Sequence, residues 1–457
     1  MTGAGPSGPL EERLAEWRRW IGRRQAIHAV DVDELEDHLR SEVAALRSVG
    51  LSDDEAFLVA VKRLGDADAL SREFAREYSE RLWKQLVVST ASDGAPGMPR
   101  DGVVALLLAL AAAVAVRIPE LFGLSLAGSE PAPEFSARNF SLFVLPFLAG
   151  YFAWKRAVAP RSAAWLAVPF VVGAVAVNVM PFQAPNHTLV LAALHLPIAL
   201  WLAVGYAYTG CRWGDAERRM DFVRFSGEWF IYYALIAFGG GVLMGFTAFF
   251  FQAIGLDPED FLQSWLLPCG VVGAVIVSAW LVEAKQSVIE NMAPVLTRVF
   301  TPLFTLVLVA FLATMVWTGS AIDVEREVLI GFDLLLALVL GLLLYSISAR
   351  DRLMPPGPFD WLQLLLVVSA LVVDALALWA ISTRISEFCF SPNKVAALGE
   401  NLILLVNLAW SAVIYVRFLT GRGRFVELER WQTSYLPVYA AWAWLVVLLF
   451  PPLFGFR

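Results

Sequence analysis

The stretch VVALLLALAAAVAVRIPELFGL, residues 103–124, decides the fold class. Fourteen apolar residues run without interruption from Val103 to Val116, before Arg117 and Glu120 appear. A hydrocarbon core about 30 Å thick needs about 20 mostly apolar residues at about 1.5 Å each. The stretch has that length, and ten more like it follow: 139–157, 163–183, 187–209, 227–251, 262–282, 299–318, 328–348, 361–383, 394–418 and 434–453. Their connections are short. The expectation is an all-α chain whose segment 103–457 crosses a bilayer eleven times.

Composition agrees. Of 457 residues, 58% are hydrophobic and 17% charged, whereas an ordinary globular domain is about 45–50% apolar and about 25% charged. Mean hydropathy is +0.63. Such a surplus must face lipid, which excludes a disordered chain and an ordinary soluble enzyme. Cys211, Cys269 and Cys389 stand far apart with no CxxC, so neither a disulfide framework nor a structural zinc site is expected. Basic residues form no stripe interleaved with aromatics, so nucleic acid is not an expected partner.

The first 100 residues are polar, with 14 Lys and Arg against 18 Asp and Glu. They hold no short apolar core of the kind a signal peptide needs. The first apolar segment is therefore expected to act as an uncleaved anchor, with the N-terminal domain in the cytoplasm. Loops on that side then carry 15 Lys and Arg, and the opposite loops and tail carry 5. The positive-inside rule turns this bias into an expected orientation: eleven spans, N-terminus cytoplasmic and C-terminus on the opposite, outer side. Trp154, Trp165, Trp229, Trp265, Trp317, Trp361 and Trp431 fall near span ends and read as interface anchors. Gly239, Gly240, Gly241 and Gly245 in the fifth span read as close helix packing or as a broken helix at a substrate site.

Residues 1–86 read as a domain of about four helices, and 87–102, VVSTASDGAPGMPRDG, as a flexible tether. The first helix is expected over 10–27. The second starts at Asp31 and repeats Leu35, Leu39, Val43 and Leu46 on one face, stopping at Gly50. Ser52 and Glu55 form a capping box for the third, which ends at Gly65. A fourth begins at Asp66 and carries Leu70, Phe74, Tyr78 and Leu82 at helical spacing. Each helix has one apolar stripe, so they must pack together or against a partner. His28 and His38 read as ordinary surface or cap histidines.

The run GLSDDEAFLVAVKRLGDADALSREF, residues 50–74, resembles the family called permease prefix domain 1, related to the small helical HAAS signalling domain. The family's pattern is Gly-Leu-Ser, Glu-Ala, Arg-Leu-Gly-Asp. It precedes membrane proteins, ABC permeases among them. The resemblance implies a docking or regulatory module that meets a protein partner through residues 10–86, not a catalytic domain.

Charged and amide side chains in hydrocarbon are costly, so each is a candidate for function. The set is Asn178, His195, Asp333, Asp374, Glu400, Asn401 and Asn407. Steps of 7 and 4 residues place Glu400, Asn407 and Ser411 on one helical face. Two readings stand: a polar crevice open to the outside, or interhelical hydrogen bonds that stabilise the bundle. In a crevice, Glu400 and Asp374 are the best proton or cation binders, and His195 the titrating partner.

The stretch TRISEFCFSPNKVAALGENLILLVN, residues 383–407, resembles a membrane family known as domain of unknown function 4153. Arg384, Glu387, Phe388, Ser391, Pro392 and Asn393 match its pattern. Cys389 stands where Gly is usual, and Lys394 where Arg is usual. The resemblance extends over 139–457 and brings no activity with it. Ser391 is suited to cap a helix with Pro392 in its first turn. Arg384 and Glu387 are suited to pair or to bind a polar head group at the outer surface, or simply to cap.

No GxxxxGK[ST], HExxH or GxSxG occurs. Asp333 and Asp374 sit on neighbouring spans without the glycine motif an aspartyl dyad would want. Neither a catalytic constellation nor a cofactor or metal is expected. The reading that follows is a sensor, regulator or accessory subunit that couples a membrane-embedded polar site to a cytoplasmic docking domain. The alternative is a transporter of a small solute or ion, proton-coupled through intramembrane carboxylates.

Overall fold

The computed structural model describes Leu10, Leu14, Trp17 and Arg18 and residues 29–48, 51–64, 100–122, 132–253, 256–284, 292–318, 326–350, 354–388 and 390–457. It divides into two compact units, one of Met1–Gly97 with Lys285–Ile289 and one of Met98–Ala284 with Glu290–Arg457. Among the described residues every regular element is helical.

In the first unit, α1 is Ala29–Ser48 and α2 is Asp53–Leu64. The expected stripe is the buried one: Leu39, Val43 and Leu46 pack on Ala56 and Ala60, with Leu14 and Trp17 completing the core. The capping box forms as read. The Ser52 hydroxyl accepts from the Glu55 backbone N–H at 3.4 Å, and Glu55 accepts from the Ser52 N–H at 3.1 Å. Burial pushes the Glu36 carboxyl up, but hydrogen bonds from Arg18 and Arg40 outweigh it and hold Glu36 below the ordinary glutamate value. Hydrogen bonds from Ser52 likewise hold Glu55 low. The expected fourth helix from Asp66, His28 and residues 87–99 of the tether lie outside the described residues.

The second unit is a helical bundle. In chain order it comprises α3 (Arg100–Arg117), α4 (Ala132–Lys155), α5 (Pro160–Val179), α6 (His187–Tyr208) and α7 (Ala216–Ala253). Then come α8 (Glu259–Ala284), α9 (Met292–Thr318), α10 (Arg326–Ala349), α11 (Pro358–Phe388), α12 (Pro392–Leu419), α13 (Phe425–Leu448) and the short α14 (Phe450–Leu453). Each of the eleven apolar windows falls on a helix. Among the described residues nine helices, α3 and α5 to α12, are long and apolar enough to cross a membrane, as expected of a multi-pass membrane protein. The other two, α4 and α13, have 24 residues each. At about 1.5 Å per residue they also exceed a bilayer core, but Asn139, Glu429 and Gln432 make them more polar.

Two cores share this unit. The first joins α3, α4, α5, α6 and α8, and the second joins α10 to α13 with Leu308 of α9. The start of α7 belongs to both: Phe222 and Phe225 face the first, Met220 and Val223 the second. Helix α3 buries Ala105, Ala109, Ala112 and Val116, a small-residue seam that lets it lie close against α8.

Charged residues lock the end of the bundle where α11 starts. Glu283, its side chain 2% exposed, pairs with Arg156 at 3.0 Å and Lys155 at 3.1 Å. Arg350 pairs with Asp360 at 2.8 Å and lies over the rings of Phe418 and Phe425. Arg156 and Arg224 donate to the Tyr208 and Ser348 carbonyls, capping the last turns of α6 and α10.

The glycines of α7 do neither thing expected of them. The helix runs unbroken through Gly239, Gly240, Gly241 and Gly245, and among the described residues no neighbour lies within 4 Å of where a Cβ would stand. From Ala234 onward α7 is exposed around nearly its whole circumference. Two tryptophans read as interface anchors face inward instead. The Trp229 indole donates to the Val275 carbonyl at 3.0 Å, and the Trp431 indole to Asn407 Oδ1 at 2.9 Å. An indole N–H that finds an acceptor inside the bundle has no need of the interface. Trp165 and Trp317 are lipid-side, 74% and 91% exposed.

Candidate functional site

The intramembrane polar set divides among four places. Asn178 pairs reciprocally with Asn139 of α4, at 2.7 and 3.0 Å. That ties α4 to α5 and uses both amides.

Asn407 heads a closed network. Its amide donates to Gln432 at 3.1 Å and to the Tyr439 hydroxyl, and its side-chain carbonyl accepts from Trp431 and from Ser411 at 3.1 Å. Gln432 in turn donates to Ser411 at 2.7 Å. Asn407, Ser411 and Gln432 are fully buried. A satisfied network of this kind fixes α12 against α13.

The third place holds Asp333, Asp374 and Asn401. Asn401 donates to Asp333 at 3.0 Å. Asp374 is 0% exposed, and among the described residues neither its carboxylate oxygens nor the Asn401 carbonyl oxygen has a hydrogen-bond partner.

The fourth place is a cavity of about 550 Å³ between the two helix groups, with Glu400 and His195 on its wall. It is lined from α4, α6, α7, α8, α10, α12 and α13. Helix starts explain why Glu400 and His195 meet at one level. His187 and Asn393, in the first turns of α6 and α12, are 3.4 Å apart. From there His195 is eight residues along α6, and Glu400 seven along α12, about 12 and 10 Å of rise. Between these levels Leu191 and Ala396 pack with Val446 and Phe450 as an apolar plug. Above the plug, the main-chain oxygens of Phe456 and Arg457 accept from the N–H groups of Gln183 and Thr188. The cavity is closed at the His187 end.

The polar points of the wall are few. His195 Nδ1 lies 2.9 Å from the Leu191 carbonyl. A carbonyl only accepts, so Nδ1 carries a proton, and Nε2 is the ring atom left to face another group. Glu400 has no hydrogen-bond partner among the described residues. The Tyr439 hydroxyl accepts from Asn407 and keeps its own proton to give. The Trp442 indole N–H is unpartnered. Gly399 makes room for that ring, since a Cβ there would collide with it. Apart from Ser141, the remaining lining is apolar and aromatic, with Trp201 and Trp229 at 4.4 Å between ring centres.

Ser391 caps α12 as expected, accepting from the Lys394 N–H at 3.4 Å with Pro392 in the first turn. Arg384 and Glu387 sit in the last turns of α11, and their side chains lie outside the described residues, as does Cys389. No group of His, Cys, Asp and Glu suited to a metal occurs among the described residues. Sequence reading missed Trp442, Tyr439 and Gly399. The Gly399-Glu400 pair, a residue without a side chain beside a charged one in a span, was the available signal.

Comparison with protein-family models, with curated proteins and with solved structures finds no match, so the two resemblances rest on their motifs alone.

Proposed function

We propose that this chain is a bacterial inner-membrane protein that couples a binding site inside its bundle to a cytoplasmic docking domain, as a sensor, regulator or accessory subunit. In this reading it has eleven spans, with the N-terminus cytoplasmic and the C-terminus periplasmic. The helices of residues 10–86 meet a protein partner. The observation that carries the reading is the cavity: a preformed, mostly apolar space with a few convergent polar groups is the usual form of a ligand site. Glu400 and His195 are its polar pole. The test is purification of the full-length protein, a variant lacking residues 1–90, and Glu400→Gln. A stoichiometric partner that is lost with residues 1–90, and whose occupancy changes in Glu400→Gln, supports the reading. A truncated protein with full function contradicts it.

One observation favours a transporter as the second reading. A fully buried carboxylate with both oxygens bare, at Asp374, suits a group that takes up and gives back a proton or cation. Proton-driven uptake into proteoliposomes that disappears in Asp374→Asn would establish it. Uptake that survives the substitution would dismiss it.

A further inference from the structure

We infer that the cavity takes an amphipathic amine, a molecule with an apolar tail and a cationic, hydrogen-bond-donating head, that reaches it sideways from the bilayer. The inference rests on the reading of the cavity as a ligand site.

Size argues first. At about 30 Å³ per water, 550 Å³ corresponds to about eighteen water volumes. That is far more than a proton or bare ion needs, and it falls in the range of organic ligands.

The wall then selects the chemistry. Most of it is apolar, with the aromatic faces of Trp201, Trp229 and Tyr233 on one side. Its one acidic group is Glu400; the Ser141 and Tyr439 hydroxyls and the Trp442 indole N–H are neutral polar points. A carboxylate facing a mostly apolar space calls for a cationic, hydrogen-bond-donating head. No Lys or Arg lines the cavity. A phosphate head would be buried there without a counter-charge, at a prohibitive desolvation cost. An anionic phosphate is therefore disfavoured as the buried head group.

Access follows from α7. Trp229 and Tyr233 are the last α7 residues on the cavity wall, and beyond them the helix stands clear of its neighbours. Phe140, Ile198 and Ala337 line the cavity while remaining exposed, so they mark a mouth on the flank of the bundle. The plug of Leu191, Ala396, Val446 and Phe450 closes the His187 end. The head lies against Glu400 and the tail runs out through the flank.

The test uses the full-length protein in lipid nanodiscs, with dodecylamine, dodecanol and dodecyl phosphate as probes in equilibrium binding. Dodecylamine should bind saturably, and the phosphate should not. Glu400→Gln should weaken the amine about tenfold, the order expected for losing one charge-assisted contact, while leaving dodecanol within about twofold. Ala337→Phe, at an exposed position that accepts bulk, should weaken both amine and alcohol by filling the mouth. Binding of phosphate as tight as amine, or no effect of Ala337→Phe on the amine, overturns the inference. Mass spectrometry of ligand carried through purification separates an amine drawn from the bilayer from one that arrives in solution. A Glu400→Gln protein that loses function although dodecylamine never bound refutes the ligand class and spares the ligand-site reading. Amine binding with a fully functional Glu400→Gln does the reverse.

Discussion

Two turns of α12 separate Glu400 from Asn407, and their surroundings are opposites. Asn407 spends its amide on Gln432 and Tyr439 and its carbonyl on Trp431 and Ser411. Glu400 faces a cavity and has no partner. Both are rare residues for a membrane helix, and rarity alone ranks them equally. Satisfaction separates them. A closed polar network holds helices together, whereas a bare polar group carries a cost that only a ligand or a proton relieves. The same contrast divides the carboxylates of the bundle. Glu283 is clamped by Lys155 and Arg156, while Asp374 has neither oxygen bonded.

The contrast is open to direct attack, most severely at the paired charges. Glu283→Ala strips Lys155 and Arg156 of their shared partner and should cost about 3 kcal/mol of bundle stability, since breaking a buried ion pair leaves charge uncompensated. Reversible unfolding in mixed micelles measures it, and a loss below about 1 kcal/mol would show that the clamp is ornamental. Asn407→Leu should cost about 2 kcal/mol, because Gln432 Oε1 and the Tyr439 hydroxyl lose their donor and the Trp431 indole loses its side-chain acceptor. Its counterpart Asp374→Asn should cost nothing, or stabilise by up to about 1 kcal/mol, because it removes a charge that has no partner. If Asp374→Asn proved as damaging as Asn407→Leu, satisfaction would not be what separates these sites.

Smaller effects belong to the N-terminal unit, where the same logic operates in water. Ser52→Ala removes the cap of α2 and should cost about 1 kcal/mol, read as faster hydrogen exchange over Asp53–Leu64. Acid should act in the same place. Glu36 and Glu55 are held below the ordinary glutamate value of 4.5 in the folded unit. Their contribution is therefore complete above pH 4.5 and is lost as pH falls below it. Exchange protection in α1 and α2 should drop in that window. Unchanged protection at pH 3 would mean the Arg18, Arg40 and Ser52 bonds contribute nothing.

How far the sequence reaches follows from the same physics. Apolar runs report on length along one helix, so all eleven windows fall on helices. Caps are equally local, and Ser52 with Glu55 and Ser391 with Pro392 form where they were read. Partners are not local. The network around Asn407 is completed from α13, whose Gln432 and Trp431 look like the polar, aromatic start of an interfacial helix. Glu283 ends α8 and reads as a boundary charge until Arg156 is seen beside it. The cavity is a relation among seven helices, and no window of one helix contains it. The glycines of α7 mislead for the reverse reason. A GxxxG at Gly241 and Gly245 signals close packing, yet among the described residues no helix packs there.

The most direct test is thermal unfolding in nanodiscs, with and without dodecylamine, of three proteins: wild type, Asn407→Leu and Glu400→Gln. Ligand at about 100 times its Kd stabilises a binding-competent protein by about 2.7 kcal/mol. Wild type should show that gain. Asn407→Leu should start lower and show it too. Glu400→Gln should start level with wild type and gain only about 1.4 kcal/mol, because a tenfold weaker Kd leaves the ligand at about 10 times Kd. A Glu400→Gln protein stabilised as much as wild type would contradict the account.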